Sequence, residues 1–423
     1  ICRSASGLAQ RAQRLPQQGT HVGLVVLAGC ADEANNDCKG IAHYLEHLVL
    51  VGRNAEHKDI AMRFFADGSS NGWTNIRLTG YVHQFPAKSA DIDARLDRLF
   101  EFYAGRLRGF DITPDDAARE RNVVRQERDW RYGSNPFSDT WRDASKFLFP
   151  DHPLGQAVIG TPEGIASFTI DEARAFLARW YRRANVYFIV SGPVDESALR
   201  RIADNRLAGL DPAPPPPRDW LARPLTLTPA VQEFRKQDAR ISEVSVNIAR
   251  TIPFQDDDEI KTLAAKALIN EFLSSKLTGS PHSVLVEQEG VASGTRGANI
   301  DRAANGALYF GLGATPEPEI SPERLRDALQ SYMTRLADAG LDEKTIARLK
   351  KRYAQSYARA LADPQTASRR LINWLETPLP YEKLAGMPDV VANLSVDDIN
   401  RLLRALKAPG RDAIVIFAPK VSQ

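Results

Sequence analysis

The sequence predicts an α/β (α+β) protein made of two similar domains by duplication, and three observations predict it. The chain has 423 residues, 43% of them hydrophobic and 26% charged, which exceeds the size at which one hydrophobic core stops growing. At mid-chain, Asp211-Pro212-Ala213-Pro214-Pro215-Pro216-Pro217-Arg218 is an extended, semi-rigid stretch and the best boundary available. The order of elements before it recurs after it. Phe168-Thr169-Ile170-Asp171-Glu172, a helix and Val186-Tyr187-Phe188-Ile189-Val190 correspond to Leu394-Ser395-Val396-Asp397-Asp398, a helix and Ala413-Ile414-Val415-Ile416-Phe417. The expected organisation is a first domain over 1–210, a linker over 211–220 and a second domain over 221–423.

Taken in order, His21 to Ala28 reads as a buried strand, and a loop rich in Asp and Asn leads to a helix starting near Gly40. A short helix over Asp59 to Ala66 precedes Asp67-Gly68-Ser69-Ser70-Asn71-Gly72-Trp73-Thr74, which reads as turns. Ile76 to Val82 alternates as a half-exposed strand, possible as a sheet edge. Two amphipathic helices follow, Asp91 to Leu107 and Thr113 to Tyr132, the second opened by an N-cap threonine with proline after it. A helix over Ile170 to Arg183, a strand over Val186 to Val190 and a helix over Glu196 to Leu207 close the first half. In the second, strands over Val231 to Lys236 and Val244 to Ile252 precede a helix from Asp257 to Leu277. A strand over Ala307 to Leu312, paired helices over Pro322 to Ala339 and Asp342 to Ala362, and a last helix and strand complete it.

The 55 basic and 53 acidic residues are interspersed and give a formal charge of +2, so no basic face argues for nucleic acid or an anionic membrane. No apolar run approaches the roughly 20 residues of a membrane-spanning helix, and a soluble protein is expected. The first residue is Ile1 rather than Met, which reads as loss of a preceding segment, either a signal peptide or a stretch cut away at an arbitrary boundary. Cys2, Cys30 and Cys38 form neither a zinc cluster nor a disulfide framework by spacing. The expectation is reduced, partly buried thiols, with a Cys30–Cys38 bridge as the alternative.

The chemistry concentrates in Gly40-Ile41-Ala42-His43-Tyr44-Leu45-Glu46-His47-Leu48. On a helix His43, Glu46 and His47 share one face, while Ile41, Leu45 and Leu48 can face a core. With seven histidines in the chain, a chance H-x-x-E-H match is expected on the order of once in a hundred such sequences. Catalytic zinc takes three protein ligands and leaves a position for water. His43 and His47 supply two, and Glu127, on a separate helix with Glu120 two turns before it, is a candidate for the third. Glu46 is placed to act as general base on a zinc-activated water.

This pattern resembles the inverted-zincin metallopeptidases, the family of pitrilysin, insulin-degrading enzyme and the mitochondrial processing peptidase. Glu120-Arg-Asn-Val-Val-Arg-Gln-Glu127 is similar to the family's distal Glu-x6-Glu helix and ends eighty residues after His47. Asn71-Gly72-Trp73-Thr74 looks like its Asn-Ala-x-Thr, and Ile159-Gly160-Thr161 like its Ile-Gly-Thr. The resemblance implies a processing-peptidase-like fold, each half a mixed, mostly antiparallel sheet packed with helices. It implies one Zn2+ per chain on His43, His47 and Glu127, with Glu46 as general base. Glu120 becomes a carboxylate that orients a ligand or helps hold the proton, and Asn71 a contact to a peptide added as a strand near residues 69–82.

One departure shapes the expectation of partners. Single-chain members carry an Arg and, seven residues later, a Tyr that reach the substrate. Here Leu285-Val286-Glu287-Gln288-Glu289-Gly290-Val291-Ala292-Ser293 puts Val286 and Ser293 at those positions. A homologous subunit carrying the Arg/Tyr pair is therefore expected to close over this chain as a heterodimer on a peptide substrate. The alternative is a catalytically silent structural or peptide-binding subunit. By the same resemblance the expected compartment is the periplasm, with the cytoplasm as the alternative.

Overall fold

The computed structural model describes residues 19–51, 68–86, 91–109, 113–377 and 379–420; the helix expected over Asp59 to Ala66 lies outside them. In chain order, β1 (Thr20–Val26) leads to α1 (Ile41–Val51), and β2 (Ser69–Thr74) and β3 (Thr79–Phe85) form a hairpin. Helices α2 (Ile92–Leu107), α3 (Pro114–Ser134), α4 (Ser138–Leu148), α5 (Pro162–Ser167) and α6 (Ile170–Trp180) precede β4 (Val186–Ser191) and α7 (Glu196–Leu207). After the proline-rich stretch come β5 (Ala230–Asp238), β6 (Ser245–Pro253), α8 (Glu259–Leu273), β7 (Ala292–Ala304) and β8 (Ala307–Pro316). The chain finishes with α9 (Pro322–Ala339), α10 (Glu343–Ala362), α11 (Pro364–Leu375), α12 (Met387–Asn393), α13 (Val396–Arg404) and β9 (Arg411–Pro419).

The duplication is explicit in the topology. One sheet has the order β2-β3-β1-β4, with every neighbouring pair antiparallel. The other, read from its far edge, is β7-β8-β6-β9-β5, antiparallel except for the β5–β9 pair. The first four strands of the second sheet therefore repeat the first sheet's order and direction, and the α/β architecture of two similar, mostly antiparallel sheets stands as expected, the one parallel pair among the described residues lying in the second sheet. Matching capping boxes open the corresponding helices, Thr169 with Glu172 on α6 and Ser395 with Asp398 on α13.

The described residues form two compact units, each drawing segments from both sides of the proline-rich stretch. The first takes the described residues within 1–128, 157–218 and 356–385, the second those within 129–156, 219–355 and 386–423. In the first unit, Leu371, Ile372 and Leu375 of α11 cover a sheet face made of Val25, Leu78, Val82 and Ile189. In the second, α4 does the equivalent, with Trp141, Ala144 and Leu148 on Ala249, Ala413, Val415 and Phe417. Each sheet is thus closed by a helix from the other half of the sequence.

Two local expectations change. The residues read as turns include a strand, Ser69–Thr74, which is the end strand of its sheet among the described residues, and the strand expected over Ile76 to Val82 starts at Thr79 and runs inside the sheet. Small polar residues can pair at a sheet edge without a β-type hydrophobic pattern. Cys30 and Cys38 are disulfide-bonded, Cα atoms 4.9 Å apart, against the expected reduced thiols. Two short 3-10 turns, Cys30–Asp32 and Ala34–Asn36, fold the loop back on itself, which spacing alone does not reveal.

Candidate metal centre

Helix α1 packs its apolar side into the core, with Ile41, Ala42, Tyr44, Leu45 and Val49 all buried, and this fixes the opposite face against α3. The start of α1 admits only glycine at Gly40: φ is +100°, and a Cβ there would meet the Ile159 carbonyl oxygen at 2.6 Å. Gly160 also has positive φ, and its carbonyl accepts the Arg128 Nε–H at 3.3 Å. The Ile159-Gly160-Thr161 segment is therefore a backbone brace between α1 and the metal-site turn of α3.

His43, His47 and Glu127 present three donor atoms that all lie within 4.8 Å of one another. Glu127 Oε2 is 3.6 Å from His43 Nε2 and 3.2 Å from His47 Nε2, and the two imidazole rings meet edge to face at 4.8 Å. Glu120, one face-repeat earlier on α3 and only 8% exposed, approaches the other nitrogen, His47 Nδ1, at 2.7 Å. Burial alone would lower the His47 pKa, but hydrogen bonds to Glu120 and Glu127 and the charges of Glu120 and Glu46 outweigh it, pushing it up to about 9. The site thus favours positive charge at His47, supplied by a proton when no metal is there. Two imidazole nitrogens and a carboxylate oxygen converging on one point fit a zinc ion, and a carboxylate on the far side of a ligating histidine fits its usual support.

Glu46 is buried, 4.0 Å from His43 Nε2, and Thr74 at the end of β2 donates its hydroxyl to Glu46 Oε2 at 2.8 Å. Gly72 lies directly against this carboxylate, since a Cβ there would stand 2.6 Å from Glu46 Oε1. Asn71, its neighbour on the exposed strand, bonds its own Oδ1 to the Gly72 N–H at 3.0 Å. The structure therefore brings His43, Glu46, His47, Glu120 and Glu127 together and sets Asn71 on the adjoining strand. Val286 falls in the π-helical turn His282–Gln288, and Ser293 near the start of β7, its hydroxyl facing the Thr315 carbonyl at 3.4 Å.

Sequence reasoning gave no role to Thr74, Gly72 or Glu33. The first two lie in the quoted Asn-Gly-Trp-Thr stretch and needed only the strand's direction to be placed. Glu33 is 2% exposed and had no signal beyond its position in an acidic loop.

Two histidines and one carboxylate form a donor set that could hold a metal ion. Residues 12–146 match the family model described as Insulinase (Peptidase family M16), and residues 167–353 match Peptidase M16 inactive domain. The chain belongs to the M16 peptidase family. It is 25% identical over 324 residues to zinc protease PqqE of Helicobacter pylori, which spans 74% of this chain and 68% of that one. Its fold is similar to the crystal structure of a protease from Helicobacter pylori (TM-score 0.77, 19% identity, 96% of each chain). It is also similar to the periplasmic protease PqqL from Escherichia coli (TM-score 0.73, 17% identity), covering 96% of this chain and 46% of that one.

Proposed function

We propose that this chain is the zinc-bearing subunit of a metalloendopeptidase that hydrolyses peptides or unfolded segments together with a homologous partner subunit. The observation that carries the reading is the convergence of His43, His47 and Glu127 within 4.8 Å, with Glu46 held beside them by Thr74 at 2.8 Å. Zinc, when bound, supplies a Lewis acid for water and for the scissile carbonyl oxygen. His43, His47 and Glu127 hold one ion per chain, and Glu120 takes the His47 Nδ1–H so that Nε2 is the ligand atom. Glu46 accepts a proton from the attacking water and returns it to the leaving amine. The peptide adds as a strand beside β2, where Asn71 meets its backbone.

A developing oxyanion needs donors besides the metal; Val286 has no polar side-chain atom, and the Ser293 hydroxyl is turned to the Thr315 carbonyl at 3.4 Å. A partner subunit supplying an Arg/Tyr pair completes the site. In support, this chain corresponds to 46% of the PqqL chain, a relative about twice as long. The buried Cys30–Cys38 disulfide favours an oxidising compartment, the periplasm over the cytoplasm. A silent peptide-binding or structural subunit is the second reading, favoured by the substitutions at Val286 and Ser293. The two are separated by measuring zinc content and quenched-peptide cleavage for the chain with and without a homologous partner, and again with Glu46→Gln. Cleavage by the zinc-loaded pair that is lost in Glu46→Gln supports the enzyme. Equal cleavage by the variant, or none by the loaded pair, overturns it, and full activity of the chain alone overturns the partner.

A further inference from the structure

The Glu33 carboxylate lies against the first turn of the metal helix. Its Oε1 accepts the Ala42 N–H at 3.0 Å and its Oε2 the Lys39 N–H at 2.8 Å, and the N–H groups of Gly40 and Ile41 face it as well. The first N–H groups of a helix have no partner within it, and when buried they need an acceptor from elsewhere. Here that acceptor comes from outside the helix, and the residue after Ala42 is His43.

The loop carrying Glu33 is fastened on every side. The Cys30–Cys38 disulfide spans it, with Cα atoms 4.9 Å apart. The Cys30 and Ala31 N–H groups donate to the Asn75 and Ile76 carbonyls at 3.1 and 3.2 Å. Asp32 accepts the Gly29 N–H at 2.9 Å and a two-pronged pair from Arg218 at 2.9 and 2.8 Å, and Trp180 Nε1 donates to the Asp32 carbonyl at 3.1 Å. Cys30 and Cys38 are 0% and 3% exposed, so the bridge belongs to the core and is not placed for exchange with solvent thiols. A loop so constrained presents one carboxylate at one place.

We propose that Glu33 is a positioning residue for the metal centre, acting through the first turn of α1, and that the Cys30–Cys38 disulfide keeps it there. The inference rests on the metal-site reading above. Glu33 fixes the turn in which His43 sits and so holds His43 Nε2 over the Glu127 carboxylate. Without it, the Gly40 to Ala42 N–H groups lose their acceptor and the turn frays. His43 then loses its fixed position, while His47, a turn further on and held by Glu120, keeps its own.

The test reads metal binding rather than turnover. Zinc affinity of the oxidised chain is measured by competition with a chromophoric chelator, and ligand geometry by the d–d spectrum of the Co2+-loaded chain. Glu33→Ala and the double variant Cys30→Ala/Cys38→Ala are each expected to weaken zinc binding by about tenfold or more and to alter the Co2+ spectrum as one imidazole is displaced. Because the disulfide acts through Glu33, removing it in the Glu33→Ala background costs less than about twofold further. Glu33→Gln, which keeps one acceptor oxygen, recovers part of the loss. Wild-type zinc affinity and Co2+ spectrum in either the Glu33→Ala or the double cysteine variant overturn the proposal, and so does a fully multiplicative loss in the combined variant. Should Glu33→Ala fail to fold, Glu33→Gln and the cysteine variant decide by the same criteria. An oxidised wild-type chain that binds no zinc overturns the metal-site reading itself, a result distinct from both.

Discussion

Replacing Glu120 by glutamine removes one negative charge from the metal centre and leaves its shape. His47 Nδ1 and Glu120 Oε1 are 2.7 Å apart, with side chains only 17% and 11% exposed, so solvent screens the pair weakly. A carboxylate behind a ligating imidazole fixes its tautomer and raises its basicity, and mutating such a partner typically costs about 10- to 100-fold in metal affinity, or about 1.4–2.7 kcal/mol. Glu120→Gln is expected to fall in that range in a chelator competition at neutral pH. Glu127→Gln, which removes a ligand, loses more. Glu120 is also among the groups that push His47 up to about 9, so the metal-free variant's His47 titrates lower by imidazole NMR. Zinc affinity within about twofold of wild type refutes the orienting role. A loss equal to that of Glu127→Gln also refutes it, because Glu120 would then be a ligand.

Three further outcomes follow from the geometry. His47 binds its proton more tightly in the folded chain, with a pKa pushed up to about 9 against the ordinary 6.5; its contribution is whole below the ordinary value and is lost as pH rises through 9. The thermal midpoint of the metal-free chain therefore falls between about pH 6.5 and pH 9, and a flat or rising midpoint contradicts the assignment. Gly72→Ala forces Glu46 aside, since the new Cβ would stand 2.6 Å from Oε1 and 2.8 Å from Leu50 Cδ1; zinc content stays intact while peptide turnover drops about a hundredfold, and unchanged initial rates speak against Glu46 as the base. Arg218→Ala strips its guanidinium partner from the Asp32 carboxylate, whose side chain is 1% exposed. The expected cost is about 3 kcal/mol in urea unfolding, and a negligible change shows that the other contacts of Asp32 suffice.

Much of this site was legible because helical periodicity is local information. The i, i+3, i+4 spacing of His43, Glu46 and His47, and the seven-residue interval from Glu120 to Glu127, fix which side chains share a face before any tertiary contact is known. Other features depended on where chain segments meet. Ser69 to Thr74 reads as turns because its residues are small and polar, yet that composition suits an edge strand passing close to a carboxylate, and Gly72 makes the close approach possible. The disulfide depends on two turns bringing Cys38 back to Cys30. Glu33 carries no pattern at all, since a buried acceptor for a helix's first N–H groups is recognisable only once the loop is closed. The amphipathic pattern of residues 364–375 likewise reports an apolar face but not which sheet it covers.

The placement of α11 bears on how the protein is made. All four strands of the first sheet have been synthesised by Ser191, but the helix that covers their apolar face, Pro364–Leu375, emerges much later. At roughly 5–20 residues per second, the metal-site sheet waits on the order of ten to thirty seconds on the ribosome with Val25, Leu78 and Ile189 uncovered. The first unit cannot finish folding in the order it is translated, and a chain truncated before residue 364 would present that bare face to chaperones and to other nascent chains.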